Sequence, residues 1–311
     1  MIGIDVGGAN LKVVNDRGAH IHYCPLWENA PITSLLEQYV TSPDDRAAVV
    51  MSGELADCFL DKIQGISFIV DAVKKAFPLA CFYGTDGQFH DGAVPQLAAA
   101  NWLASAAYLR EEYPEAVLLD IGSTTADIIP LARFESLLGF TDLKRLQKGY
   151  LLYTGMLRGN IATLLQSVLL DGTKTPTSSE YFAGSADAHL VLGHITPEDY
   201  TVDAPDRKEK TKEASLKRLA RVVCADLDEI GNDGAHQIAK QFWEKQRMLI
   251  CGQVQRIAAE SRAVEIIVAG IGAPLFAQEL GGTDLNTILG PVAGALPAFA
   301  VREIAMRGGY L

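Results

Sequence analysis

A gapless internal repeat limits the fold more than any other feature of the chain. Residues 2–14 (IGIDVGGANLKVV) and residues 117–129 (VLLDIGSTTADII) superpose without insertion. Asp5 falls on Asp120, Gly7 on Gly122, Gly8 on Ser123, Asn10 on Thr125 and Lys12 on Asp127. Each copy reads as a strand, a tight turn at glycine and a second strand. One Asp-x-Gly match would be cheap, but two inside matching apolar runs are not. Recurrence a domain's length apart points to two similar halves facing each other, not to a solenoid.

The turns carry chemistry as well as architecture. A glycine lets the backbone approach a ligand, and free N–H and hydroxyl groups there hold phosphate oxygens. The flanking acids could hold a divalent cation or activate a nucleophile. A third glycine-bearing strand end is Ala269-Gly270-Ile271-Gly272-Ala273. It is no dinucleotide fingerprint, because it lies late in the chain and no GxGxxG opens the first unit. Opposed turns of this kind make a polyphosphate clamp.

With 311 residues the chain has room for two domains with real cores. Its net charge of −11 argues against nucleic acid or an anionic membrane surface as partner. The cysteines (Cys24, Cys58, Cys81, Cys224, Cys251) lack CxxC spacing, so buried reduced thiols are expected. No leader segment opens the chain and no apolar run approaches a bilayer span, so a soluble cytoplasmic protein is expected. His189 and His194 are too far apart for an HExxH-type pair, and no Ser-His-Asp arrangement can be drawn.

Strand signals fall at 20–24, 47–51, 80–83, 149–154 and 264–269, and helical spacing at 32–40, 64–76 and 235–261. An Ala-rich helix is expected over 95–113, ended by Pro114, with a domain boundary there. Residues 1–114 and 115–290 then form the two domains, and 291–311 a closing helix returning to the first. Residues 140–149, with Asp142, Lys144, Arg145 and Lys148, read as a polar loop, and 171–187 as another. The run KEKTKEASLKR reads as the solvated face of a helix.

The order of the two Asp-Gly turns, the 95–113 helix, the AGIGA turn and the closing Ala/Gly helix resembles the acetate kinase–hexokinase–actin–chaperone superfamily. That resemblance implies an α/β fold of two ribonuclease-H-like domains with a cleft between them. Within it, IGIDVGGANLKVV, SGELADCFLDKIQGI, AANW, LLDIGSTTADIIPL and GYLLYTGMLRGN resemble the hydantoinase/oxoprolinase-related branch. More narrowly they resemble proteins of tetrahydromethanopterin-linked one-carbon transfer. Their relative in methanofuran biosynthesis joins an aminomethylfuran diphosphate to γ-glutamyltyramine, so an analogous methanofuran or methylofuran step is implied.

In this reading Gly7, Gly8, Asn10, Lys12, Gly122, Ser123, Thr124, Thr125, Gly270 and Gly272 cradle the diphosphate, and Asp5 and Asp120 hold Mg²⁺. Lys12 neutralises phosphate charge, with Asp127 as the alternative: its opposite-sign partner across the repeat. The attacking phenol needs a base. Glu54 is the first choice among Glu54, Asp57 and Lys62, and an N-terminal helix cap by Glu54 or Asp57 is the equal alternative. Lys62 and Arg158 are candidates for binding diphosphate or a glutamyl carboxylate. Asn101 and Trp102 either face the cleft or pack a helix. The expected partners are small-molecule diphosphate and phenol substrates, and a homodimer stays open. The rival readings are an ATP-dependent small-molecule kinase and a non-catalytic nucleotide-sensing regulator.

Overall fold

The computed structural model describes residues 1–28 and 30–310. Strands β1 (Ile2–Val6), β2 (Asn10–Asn15) and β3 (Gly18–Tyr23) form an antiparallel meander. Helix α1 (Ile32–Glu37) leads to β4 (Ala47–Met51), parallel to β1. Helix α2 (Lys62–Ala76) leads to β5 (Cys81–Tyr83), parallel to β4, and β6 (Phe89–His90) closes the edge. The sheet order is β3-β2-β1-β4-β5-β6. Helix α3 (Asn101–Leu109) then crosses to the second half.

The second half repeats the plan. Strands β7 (Ala116–Ile121) and β8 (Ala126–Pro130) form the hairpin, followed by the short α4 (Phe134–Leu137), α5 (Asp142–Lys148) and β9 (Leu151–Leu152). An inserted segment carries α6 (Ile161–Leu164), the hairpin β10 (Ser167–Leu170) and β11 (Thr173–Pro176), α7 (Ser185–Leu192) and α8 (Lys212–Arg221). The long α9 (Leu227–Ser261), kinked at Gly231, returns the chain to β12 (Glu265–Ala269). Helix α10 (Ala273–Leu280), β13 (Thr283–Asp284), α11 (Leu285–Leu289) and α12 (Leu296–Arg307) complete it. The second sheet runs β13-β12-β7-β8-β9. Numbered within its own half, with the inserted hairpin β10–β11 left out, each sheet holds the order 3-2-1-4-5 with an antiparallel hairpin at strands 1 and 2. That is the ribonuclease-H-like plan, present twice.

Alternation along the strands sorts the core into layers. Val117, Leu119 and Ile121 face α9 and α10, while Ala116 and Leu118 face the layer that holds α3 and α12. Ala48, Val50 and Cys81 of the first sheet enter that same layer, so one apolar core joins the two sheets. Helix α12 packs on β1, β4 and α3. Gly3 permits this, because a Cβ there would lie 1.9 Å from the Ala298 carbonyl oxygen.

Several expectations change. The 95–113 helix is a 3₁₀ turn at Pro95–Leu97 and a shorter α3, broken where Ala99 takes φ 48°. The polar loop at 140–149 contains α5, capped by the Thr141 hydroxyl at one end and by left-handed Gly149 at the other. The 171–187 loop holds β11 and the start of α7. The charged run is not wholly solvated: Arg218 is fully buried and its Nε donates to Asp187 Oδ1 at 2.8 Å. Cys58 and Cys224 are exposed rather than buried. His189 and His194 do meet, Nδ1 to Nδ1 at 3.0 Å, because left-handed Gly193 folds the chain back after α7. One segment, Leu285–Arg307, is long and apolar enough to cross a membrane, with mean hydropathy 1.4, which the sequence reading missed. Here it is divided at Gly290, and α12 covers the first sheet.

Candidate active site between the two sheets

The repeat survives in three dimensions bond for bond. Asp5 pairs across its hairpin with Lys12, and Asp120 with Asp127, the same aligned positions. Gly7 N donates to the Asn10 carbonyl at 2.9 Å, and Gly122 N donates to the Thr125 carbonyl at 3.0 Å. The two turns line one cavity of about 320 Å³. Gly7, Gly8 and Asn10 come from one side, and Gly122, Ser123, Thr124 and Thr125 from the other. A Cβ on Gly8 would meet no protein atom within 4 Å, so this glycine opens its backbone to the cavity. Gly155 backs the second turn so tightly that a Cβ there would come within 2.6 Å of the Ser123 and Thr124 backbone.

The two hairpins differ in charge. In the first, Lys12 Nζ stands 3.7 Å from Asp5 Oδ2. The second sets Asp127 opposite Asp120, and like charges directly across an antiparallel pair repel. Arg145 from α5 supplies what Lys12 supplies in the first. Its guanidinium, 3% exposed, bonds Asp127 and, at 2.9 Å, Asp142 Oδ1, and it lies 4.4 Å over the Trp102 ring. The partner of Asp127 is therefore Arg145, not Lys12.

Burial and this crowding shift the acids. Burial first, then the charge of Asp127, push the Asp120 carboxyl up to about 6, with Lys12 and Arg145 opposing. Burial raises Asp5 and Lys12 opposes it, while Asp5 Oδ1 has no hydrogen-bond partner. Burial also raises Asp127, against the pull of Arg145.

Of the residues singled out from sequence, Asp5, Lys12, Asn101, Asp120 and Arg158 join the turn residues along this cavity. Trp102 packs beneath it, so Asn101 and its neighbour divide the two roles foreseen for them. Glu54, Asp57 and Lys62 are not in the lining. Glu54 is 2% exposed, and burial pushes its carboxyl up. It does not cap α2; Asp61 does, accepting from Gln64 N at 2.8 Å. Gly270 and Gly272 are also outside the lining. They are glycines because β7 lies against them, with a Cβ on Gly270 falling 2.4 Å from the Ile121 carbonyl oxygen. Sequence reading gave no role to Arg145, Asp142 or Tyr153, all of which line the cavity. The cluster of charges just before GYLLYT was the available signal.

Comparison with known proteins agrees with this plan. A protein of Methanocaldococcus jannaschii named (4-{4-[2-(gamma-L-glutamylamino)ethyl]phenoxymethyl}furan-2-yl)methanamine synthase is 35% identical, over 99% of this chain and 98% of that protein. A protein of Methanococcus vannielii with the same name is 37% identical over 53% of this chain and 74% of its own length. Among solved structures, nucleotide-free acetone carboxylase gives a TM-score of 0.53 at 9% identity, covering 96% of this chain and 69% of that one, a likeness of fold alone. The hydantoinase/oxoprolinase family model matches residues 45–302. This chain belongs to the hydantoinase/oxoprolinase family.

Proposed function

We propose that the chain is a transferase that forms an aryl furfuryl ether in methanofuran or methylofuran biosynthesis. The observation that carries the reading is the 35% identity across the whole chain to a synthase whose printed product contains that ether. The donor is an aminomethylfuran diphosphate and the acceptor a phenol of the γ-glutamyltyramine type. The C–O bond between the furfuryl carbon and the diphosphate breaks, and its electron pair leaves with the pyrophosphate. The phenol oxygen bonds the carbon and gives up its proton.

The turns suit the leaving group. The backbone N–H of Gly8 and the hydroxyls of Ser123, Thr124 and Thr125 line the cavity as donors for diphosphate oxygens. Lys12 and Arg158 add positive charge at the same cavity. Mg²⁺ fits this donor set: Asp5 keeps an unpartnered buried oxygen, and Asp120 is crowded by other acids. Among the described residues no trio of His, Cys, Asp and Glu is arranged to hold a metal alone. Asp5 and Asp120 would hold the ion together with substrate phosphate and water, as Mg²⁺ prefers. Bound there, it would offset the charge that builds on the departing pyrophosphate.

The proton acceptor is drawn from the cavity's own carboxylates. Asp127 and Asp142 each give one oxygen to Arg145, which leaves the other available to a phenol whose unperturbed pKa is about 10. Glu54 is too enclosed for this role. The test is incubation with Mg²⁺, the furfuryl diphosphate and γ-glutamyltyramine. Pyrophosphate and the ether are expected in equal amounts, with ATP unchanged when added. ADP release without pyrophosphate would replace this reading by the kinase.

A further inference from the structure

A second cavity of about 360 Å³ adjoins the first, and the two share Ala9, Asn10 and Arg158 as common wall. Its character is different. Tyr23 and Trp27, at the end of β3 and just after it, and Tyr181 from the inserted segment give it aromatic sides. Glu28 and Asp203 give it negative charge, and Arg207 positive charge. Arg158 stands at the junction, its guanidinium 5.2 Å from the Trp27 ring centroid.

The loop that carries Asp203 and Arg207 is fixed from beneath. Tyr200 and Ala204 are buried, and the Tyr200 hydroxyl donates to Asp187 Oδ1 at 3.2 Å. The buried Arg218 reaches Asp187 and also Asp206 Oδ1, the latter at 3.1 Å. Arg207 itself takes φ 55°, a left-handed conformation that is uncommon for a residue with a Cβ, and its N–H donates to the Ala204 carbonyl at 2.8 Å. Such conformations persist where surrounding structure holds them, and they cluster at binding sites. A buried ion pair holding one loop, and strain at its charged residue, mark a preformed wall.

We infer that this second cavity is the acceptor subsite, built for a phenol that carries an amino-acid head of the γ-glutamyl type. The inference rests on the reaction proposed above and extends it to a specific place. Aromatic sides match an arene, and charges of both signs match a zwitterion: Arg207 the α-carboxylate, Asp203 and Glu28 the α-ammonium. The shared wall at Arg158 lets the phenol oxygen enter the diphosphate cavity while the head stays outside.

Calorimetric titration with γ-glutamyltyramine, with and without Mg²⁺ pyrophosphate, reads binding apart from turnover. Saturable binding is expected, with tyramine and glutamate each at least ~10-fold weaker, because each keeps half of the contacts. Arg207→Gln and Asp203→Asn change exposed side chains. They should weaken γ-glutamyltyramine ~10-fold or more and leave tyramine unchanged. Trp27→Leu should weaken both. Unchanged affinity in both charge variants, or no saturable binding to the wild type in either condition, overturns the subsite. Pyrophosphate release with an unaltered acceptor KM in these variants would keep the reaction and remove the subsite. Binding with the expected variant pattern but no turnover would do the reverse.

Discussion

Asp120→Asn is expected to abolish ether formation while raising the melting temperature of the ligand-free protein at neutral pH. The Asp120 carboxyl sits at about 6 against an ordinary 3.8. The folded state therefore holds this proton more tightly than the unfolded chain. Its contribution to stability is fully present below 3.8 and lost as pH rises through about 6. An amide does not titrate, so above that window the variant escapes the penalty. The gain should be ~1–2 kcal/mol in chelator, less than for a sealed carboxyl because the cavity admits water. Toward pH 4 the gain should vanish. Turnover should fall ~10³-fold or more, because the amide neither balances Mg²⁺ nor helps hold the diphosphate. Melting curves from pH 4 to 8 beside initial rates check both halves. Retained turnover would remove Asp120 from the site, and a pH-independent change in stability would contradict the account of its environment.

Arg145→Met should have the opposite sign. It leaves Asp127 facing Asp120 across the β7–β8 hairpin with no counter-charge, and Asp142 without its 2.9 Å partner. Breaking one side of a fully buried pair costs ~3–5 kcal/mol, and here ~2–3 kcal/mol is expected, because Asp127 and Asp142 still face the cavity and its water. Urea unfolding should show this as a lower midpoint with an unchanged slope. Adding Asp127→Leu to the same chain should recover most of the loss. Arg145→Lys should recover little, since an ammonium cannot bond two carboxylates in the fork that the guanidinium spans. A loss below ~1 kcal/mol for Arg145→Met would mean that the hairpin does not depend on the pair.

The doubled hairpin was legible in the sequence because its determinants are local. An apolar run, an acid, a glycine turn and a second run set both the pairing and the turn bond, and these recur at Gly7–Asn10 and Gly122–Thr125. The cradle could be read with them. Arg145 could not be assigned a partner, because it reaches Asp127 from 18 residues away on another element. Its helix was less hidden: Thr141 and Gly149 bracket it as cap and left-handed stop, but its charged composition suggested a loop. Nothing in the alanine run marks Ala99 as the break before α3, where tertiary packing overrides helix propensity. Arg218 looked solvated because its partner Asp187 lies 31 residues earlier, and no local pattern reports such a pair. Glu54 looked catalytic because it follows a strand end, yet the packing of Gly65 against its backbone holds it in the interior.

In the proposed reaction the diphosphate in the cradle leaves from carbon. A donor labelled with ¹⁸O in the oxygen that bridges the furfuryl carbon and the first phosphorus tests it directly. Mass spectrometry of both products after a single turnover should find the label wholly in pyrophosphate and none in the ether. Label found in furfuryl alcohol or furfuryl monophosphate, beside a phosphorylated phenol and no ether, would mean that a P–O bond breaks instead and that the site works as a phosphoryl-transfer centre.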